Sequence, residues 1–305
     1  MFKGDTNLRS EGEKVNITKN ELEEYIRCKE DIIYFAEKYF YIVSVDKGKM
    51  LIPLREYQKR ILKAFVEPQN GKRHCALLSS RQIGKSTIST IYLLWYALFN
   101  KDKLIAIVAD KEKTSKNILN RIKTSYKKLP MWMQQGIKLD GWNAKSLSLE
   151  NGSTLIISST TGTALTGESI SLLYIDEFAK IPSHLVVDFM DSVFPTIESS
   201  ETAKIIIVST PKGLNHWYEV WRKAITGTSD FFPIKINWWE IPGRDDGFKE
   251  RIIKTHGILH WRQEYQCSKN STNINIRNIE TGLVENIPIG EFYERVEREN
   301  KMQDV

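Results

Sequence analysis

Four short apolar runs, each closing on polar residues, constrain the fold of this chain more than any other feature. CALLSS (75–80), LIAIVAD (104–110), SLLYID (171–176) and IIIVST (205–210) lack the apolar–polar alternation of a strand with one wet face. Runs of this kind belong to strands buried on both faces, and segments with helical spacing lie between them. The expectation is an α/β fold with a mostly parallel sheet flanked by helices. Ligands of such sheets bind at the carboxyl ends of the strands, where the polar ends of the four runs gather.

The flanks of this core read differently. Residues 19–65 are expected to be helical, with Asn20 capping ELEEYIRCKEDIIYFAEKYF and LREYQKRILKAF showing helical apolar spacing. The chain then divides into a helical N-terminal region (1–53), a core (54–235), a subdomain or linker (236–266) and a tail (267–305). The most apolar stretch, 88–99, contains Ser89 and Thr90 and is too short to span a bilayer. The opening MFKGDTNLRSEGEK has no apolar run, which argues against a signal peptide. Cys28, Cys75 and Cys267 are odd in number and lack metal spacing, as expected of a reducing cytosol. A surplus of basic residues gives +6, which suits a polyanionic partner.

The first run leads into Ser79-Ser80-Arg81-Gln82-Ile83-Gly84-Lys85-Ser86-Thr87 and then a helix. A phosphate-binding loop of the Walker A type needs a tight turn with its N–H groups facing the phosphates. It also needs a lysine for the β- and γ-phosphates and a hydroxyl for Mg²⁺. Gly84, Lys85 and Ser86 meet these needs, while Ser79 stands where a first glycine is usual. Downstream, the strand 172–176 ends in Asp176 and Glu177, a Walker B pattern. Asp176 is placed to hold Mg²⁺, and Glu177 to orient and deprotonate the attacking water. Both elements in this order point to a P-loop nucleoside triphosphatase of the RecA/ASCE type, using ATP and Mg²⁺.

Two further elements complete the pattern. The strand 205–209 ends in Ser209 and Thr210, hydroxyls that can sense the γ-phosphate and couple hydrolysis to movement. In Leu54-Arg55-Glu56-Tyr57-Gln58, a glutamine amide can read the adenine edge while Tyr57 stacks or packs.

Taken in order, REYQ, SRQIGKST, LLYIDEFAKIP, IVSTPKGLNHWYEVW and INWWEIPGRDD resemble the large terminase subunit of tailed bacteriophages, over about 20–266. The resemblance implies an ATP-driven motor that moves double-stranded DNA into a procapsid in the host cytoplasm. It implies Arg81 as a cis arginine finger or γ-phosphate sensor, consistent with a guanidinium stabilising spreading charge. Nucleotide contacts would come from Tyr57, Gln58, Ser79, Gln82, Gly84, Lys85, Ser86, Thr87, Ser209 and Thr210. Metal would be held by Ser86 and Asp176. The partners implied are DNA, a portal protein, a small terminase subunit and further copies in a ring, with no membrane. The basic stretch 111–128 offers Lys111, Lys113, Lys116, Arg121, Lys123, Lys127 and Lys128 against Glu112, either as a DNA-facing surface or as a solvated helix face. Trp238 and Trp239 are expected to pack, with base stacking the alternative.

The family's large subunit normally carries a nuclease domain as well, and too few residues follow Gln266 to form one. Those residues, CSKNSTNINIRNIETGLVENIPIGEFYERVEREN, resemble the amino-terminal half of a split intein, with a small β-hairpin followed by a helix. In that reading Cys267 attacks the Gln266 carbonyl, and a second polypeptide supplies the rest of the intein and the nuclease domain. The alternative is an ordinary hairpin tail with an incidental cysteine. Two other functions stay open at this stage: a superfamily 2-type helicase or translocase, and a precursor half without activity of its own.

Overall fold

The computed structural model describes residues 1–44, 48–160, 165, 167–266, 273–277, 281–288, 291, 292 and 295. In chain order the N-terminal part contains α1 (Lys19–Glu30), α2 (Ile32–Tyr39), β1 (Tyr41–Ser44), β2 (Gly48–Leu51) and α3 (Glu56–Val66). The centre follows as β3 (His74–Ser79), α4 (Lys85–Phe99), β4 (Leu104–Ala109), α5 (Glu112–Tyr126), β5 (Ile137–Asn143), β6 (Ser146–Leu149) and β7 (Thr154–Ser158). Next come β8 (Leu172–Asp176), α6 (Ser183–Glu198), β9 (Lys204–Ser209), α7 (His216–Ile225) and β10 (Phe231–Ile236). The chain continues through α8 (Asp246–His256), α9 (Ile258–Trp261), a π-helical turn (Arg262–Gln266), β11 (Asn273–Arg277) and β12 (Val284–Pro288).

The main sheet has eight strands in the order β10-β3-β9-β8-β4-β7-β6-β5. From β10 to β7 neighbouring strands run parallel, and β6 and β5 extend the sheet antiparallel. The expected mostly parallel α/β sheet is therefore present. Its strands feed two cores. In β3, Cys75 and Leu77 face one apolar cluster, while Ala76 and Leu78 face the other. Tyr174 and Val208 likewise point one way, and Ile175 and Ile207 the other. Two wet-free faces explain why these runs do not alternate in polarity.

On one face α4 is buried along almost its whole length, because the N-terminal helices cover it. Phe99 meets Tyr25 and Phe35 edge-on at 5.0 and 5.6 Å, and Trp95 Nε1 donates to the Cys28 carbonyl at 2.8 Å. The first residues join this core too, with Phe2 and Leu8 buried and the Arg9 N–H donating to Gln134 Oε1 at 3.1 Å.

The N-terminal helix starts differently from the expectation. Its cap is Thr18, not Asn20: Thr18 Oγ1 accepts from the Glu21 N–H at 3.3 Å, and Glu21 accepts the Thr18 N–H at 2.8 Å. That reciprocal pair satisfies two amides, which a cap at Asn20 cannot do from inside the first turn. The helical segment also breaks at Asp31, whose extended backbone ends α1 and caps α2. The tail contains the expected antiparallel hairpin, β11 on β12, and residues 291, 292 and 295 are helical. Cys267 lies outside the described residues, as does Thr272.

The basic stretch forms α5, but its cations differ in what they do. Lys116 pairs with Glu112 at 2.9 Å, and Lys127 pairs with Asp5. Lys123 is buried, donates to the Asn143 carbonyl and sits 5.2 Å from the Trp142 ring centre. Lys113 and Arg121 are exposed.

Candidate functional site

Strand register alone collects most of the expected site. Leu78 of β3 lies opposite Ser209 of β9, and Val208 of β9 lies opposite Asp176 of β8. Ser79 lies opposite Ile236 on the other side. The carboxyl ends of β3, β9 and β8 thus form one row, with the loop 80–84 rising from its β3 end. That loop runs straight into α4, so the helix N-terminus, with its unpaired amides, faces the row.

The loop turns through two residues of positive φ, Gln82 at 59° and Gly84 at 84°. Gly84 has a second constraint, since a Cβ there would stand 3.0 Å from Gln58 Nε2. Tyr57 and Gln58 hold the loop from α3: the Tyr57 hydroxyl donates to the Ile83 carbonyl at 3.0 Å, and Gln58 Nε2 donates to it at 3.3 Å. Gln58 Oε1 accepts the Arg55 N–H at 3.1 Å. Both side chains are buried against the loop backbone.

Lys85, buried at the head of α4, donates from Nζ to Glu177 Oε1 at 3.0 Å. The other oxygen of Glu177 lies 3.1 Å from Lys180 Nζ and 3.4 Å from Thr210 Oγ1. Burial pushes the Glu177 carboxyl up, but Lys85 and Lys180 outweigh it and hold it below the ordinary range. Its backbone sits at φ 52°, a left-handed conformation that lifts the side chain out of the strand direction. Asp176 is different. Full burial, which Lys85 only partly offsets and Glu177 adds to, raises its pKa to about 6. One of its oxygens, Oδ1, accepts the Glu177 N–H at 3.0 Å.

Ser209 joins these strands to the turn that carries the carboxylate. Its Oγ accepts the Ala179 N–H at 3.0 Å and donates to the Thr210 carbonyl at 2.8 Å. The end of β9 and the segment Glu177–Lys180 are therefore tied together by hydrogen bonds.

The remaining expected residues are placed less directly. Arg81 is half-exposed and turned to Glu264, its guanidinium 3.3 Å from Oε2 and its N–H donating to the Glu264 carbonyl at 2.8 Å. Ser79 is buried, and its hydroxyl has no partner among the described residues. Ser86 and Thr87 occupy the first turn of α4, half-buried. Trp239 is exposed, while Trp238 packs edge-on against Trp261 at 4.9 Å.

Three charged residues at the site are not singled out by the sequence. Lys180 is the simplest, because Glu and Lys three apart meet in a tight helical turn. Arg244 and Glu264 come from the segment after β10, and only the tertiary fold brings them to the loop.

The donor set suits Mg²⁺ held in the company of phosphates. Asp176 is a buried carboxylate with no cation bonded to it among the described residues, and a hydroxyl stands at Ser86. No group of three or more His, Cys, Asp or Glu side chains that could cage a metal occurs among the described residues. One carboxylate, one hydroxyl, phosphate oxygens and water make an ordinary Mg²⁺ shell. No helix among the described residues is long and apolar enough to cross a membrane.

Solved structures share this architecture. The large terminase of bacteriophage HK97 superposes with a TM-score of 0.65 at 16% identity, over 82% of this chain and 56% of that one. The large terminase ATPase domain of Thermus phage P74-26 gives 0.53 at 18% identity, over 70% of this chain and 92% of that domain. The large terminase of a thermophilic bacteriophage, in complex with ATP-γ-S, gives 0.53 at 14% identity, over 70% of this chain and 52% of that one. This chain thus spans about half the length of the HK97 protein and of the ATP-γ-S-bound one. Residues 76–279 match the family model described as terminase large subunit, T4likevirus-type, N-terminal. That match covers most of the sequence, and the chain belongs to the T4likevirus-type terminase large subunits.

Proposed function

We propose that this chain hydrolyses ATP and that hydrolysis drives double-stranded DNA into a viral procapsid. The observation that carries the reading is the contact of Lys85 with Glu177 across the carboxyl edge of the sheet, at 3.0 Å. Without nucleotide the lysine is neutralised by the carboxylate. A triphosphate entering the loop competes for the lysine, and Glu177 loses its strongest cation. Its basicity rises at the moment a water needs a base. Ser86 and Asp176 would hold Mg²⁺, which supplies neutralisation of phosphate charge. Thr210, bonded to the same carboxylate, is positioned to register the change, and Ser209 passes it to β9. Arg81 reaches the phosphates only by leaving Glu264.

The family match favours packaging over unwinding. A portal protein, a small terminase subunit and a ring of further copies are proposed as partners on the same ground. The test is steady-state ATP hydrolysis by the purified chain with Mg²⁺. Lys85→Ala and Glu177→Ala are each expected to lower the rate by at least about a hundredfold, as losses of catalytic groups do. A Glu177→Ala variant working at the parental rate overturns the assignment.

We also propose that Cys267 is a splicing nucleophile. Its thiolate attacks the Gln266 carbonyl, the Gln266–Cys267 peptide bond breaks, and a thioester forms with the amine of Cys267 released. Transfer to a second polypeptide carrying the complementary intein half would then add a nuclease domain. The sequence pattern after Gln266 and the β11–β12 hairpin favour this reading, while the family match runs on to residue 279. Co-expression with the partner polypeptide is expected to yield a longer ligated protein. Ligation that survives Cys267→Ala overturns the proposal.

A further inference from the structure

The loop 80–84 carries a second cationic contact that none of its motifs explains. Arg244 follows the turn after β10, where its own N–H donates to the Ile241 carbonyl at 3.1 Å. Its guanidinium reaches back to the phosphate loop, Nη1 to Ser80 Oγ and Nη2 to the Gln82 carbonyl, both at 3.4 Å. These are long hydrogen bonds, at the weak end of the useful range. Two rings hold the guanidinium in place, Phe248 at 5.1 Å and Tyr265 at 5.4 Å from its carbon.

No carboxylate lies within ion-pair distance of Arg244 among the described residues. The side chain is half-buried, and that burial lowers its pKa against the opposing effect of Tyr265 and Tyr57, with Arg55 adding like charge. Two guanidiniums around the site are neutralised, Arg81 by Glu264 and Arg60 by Glu240 at 2.6 Å, while Arg55 donates to the Tyr57 hydroxyl at 3.4 Å. A partly desolvated cation with two weak neutral partners is an expensive arrangement unless an anion arrives to meet it.

We infer that Arg244 binds the nucleotide, meeting the terminal phosphate at the opening of the loop. Placement decides which phosphate. Arg244 touches Ser80 and Gln82, which flank Arg81, the residue read as the γ-phosphate sensor. The ligand is therefore the part that distinguishes a nucleoside triphosphate from a diphosphate. The planar fork suits a phosphate edge, and the two rings restrict its rotation in advance.

This inference rests on the proposed ATPase reading, and one binding experiment separates the two. Titration calorimetry with ATP and with ADP would compare the parent chain with Lys85→Ala and Arg244→Ala. Arg244→Gln, closer in shape, serves the same purpose should the alanine variant fail to fold. The expected result is a roughly tenfold or greater loss of affinity for ATP in the Arg244 variants, with a smaller loss for ADP, as for a lost charged hydrogen bond. Their melting temperatures without nucleotide stay near the parental value. Lower nucleotide-free stability with unchanged affinity makes Arg244 a structural link and overturns the inference. A loss equal for ATP and ADP places it on the phosphates common to both and also overturns the inference. A parent chain that binds neither nucleotide overturns the ATPase reading itself.

Discussion

Gly84 shows how much one residue of the loop is asked to do. It caps α4 in the left-handed region at φ 84°, and it leaves room for Gln58 Nε2 to reach the Ile83 carbonyl. An alanine there meets both constraints at once. Left-handed backbone costs a Cβ-bearing residue about 1 kcal/mol or more. The new methyl group would also press on the Gln58 amide at 3.0 Å, and that amide has a hydrogen bond to lose. Gly84→Ala is therefore expected to lower stability by about 1–2 kcal/mol and to weaken nucleotide binding. Urea denaturation checks the first part, and an unchanged midpoint means the loop relaxes freely. Glu177 accepts a similar backbone conformation with a full side chain, at φ 52°. Three partners, Lys85, Lys180 and Thr210, hold it there, and a strained backbone needs that support.

The elements around the loop depend on polar groups at their ends. Asp31 ends one helix and starts the next, its Oδ1 accepting the Ile33 and Tyr34 N–H groups at 2.8 and 3.1 Å. Replacing it with alanine leaves two amides unpaired and should cost about 1 kcal/mol, read from the denaturation midpoint. His74 does comparable work for β3. Its Nδ1 accepts the Ile205 N–H of β9 at 3.2 Å, so the proton sits on Nε2 and is donated to Glu198 at 3.0 Å. Burial lowers its pKa more than Glu198 raises it, so the folded protein holds the ring neutral. As pH falls below the unfolded value of about 6.5, the unfolded chain takes up a proton that the folded one resists. The stabilisation is present above that pH and is lost as pH falls through the lowered folded value. The stability gap between parent and His74→Gln should narrow from pH 7.5 to pH 5, and a gap that widens contradicts this sign.

These elements also show what the sequence can and cannot disclose. The strands β3, β4, β8 and β9 are legible because burial on both faces leaves a continuous apolar run. Asp176 and Glu177 are legible because they close such a run, and Lys85 because it follows Gly84 at the head of the helix after another. Asn20 is a plausible cap by residue type, but the Thr18–Glu21 pair satisfies more amides, so its spacing outranks composition. Arg244 and Glu264 reach the loop only through the packing of Trp238, Phe248, Trp261 and Tyr265, and no local pattern reports that arrangement.

At the scale of the whole molecule, a charge of +6 says less than where its cations remain free. Lys116, Lys123 and Lys127 are occupied by Glu112, by a carbonyl and by Asp5 respectively. Besides Glu112, which Lys116 neutralises, α5 leaves to solvent Lys113, Asn117, Asn120, Arg121 and Thr124, side chains that all donate hydrogen bonds. Lys113 and Arg121 have no carboxylate paired with them among the described residues. Such a face suits phosphates irrespective of base sequence, which is how a translocating motor must hold DNA. Each phosphate contact removed should flatten the dependence of log affinity on log salt by about one. Lys113→Ala combined with Arg121→Ala is thus expected to lower that slope by about two and to weaken binding equally across unrelated duplexes. Lys116→Ala, whose charge Glu112 already neutralises, should change the slope far less. If the double variant keeps the parental slope while Lys116→Ala loses it, DNA does not run along this face of α5.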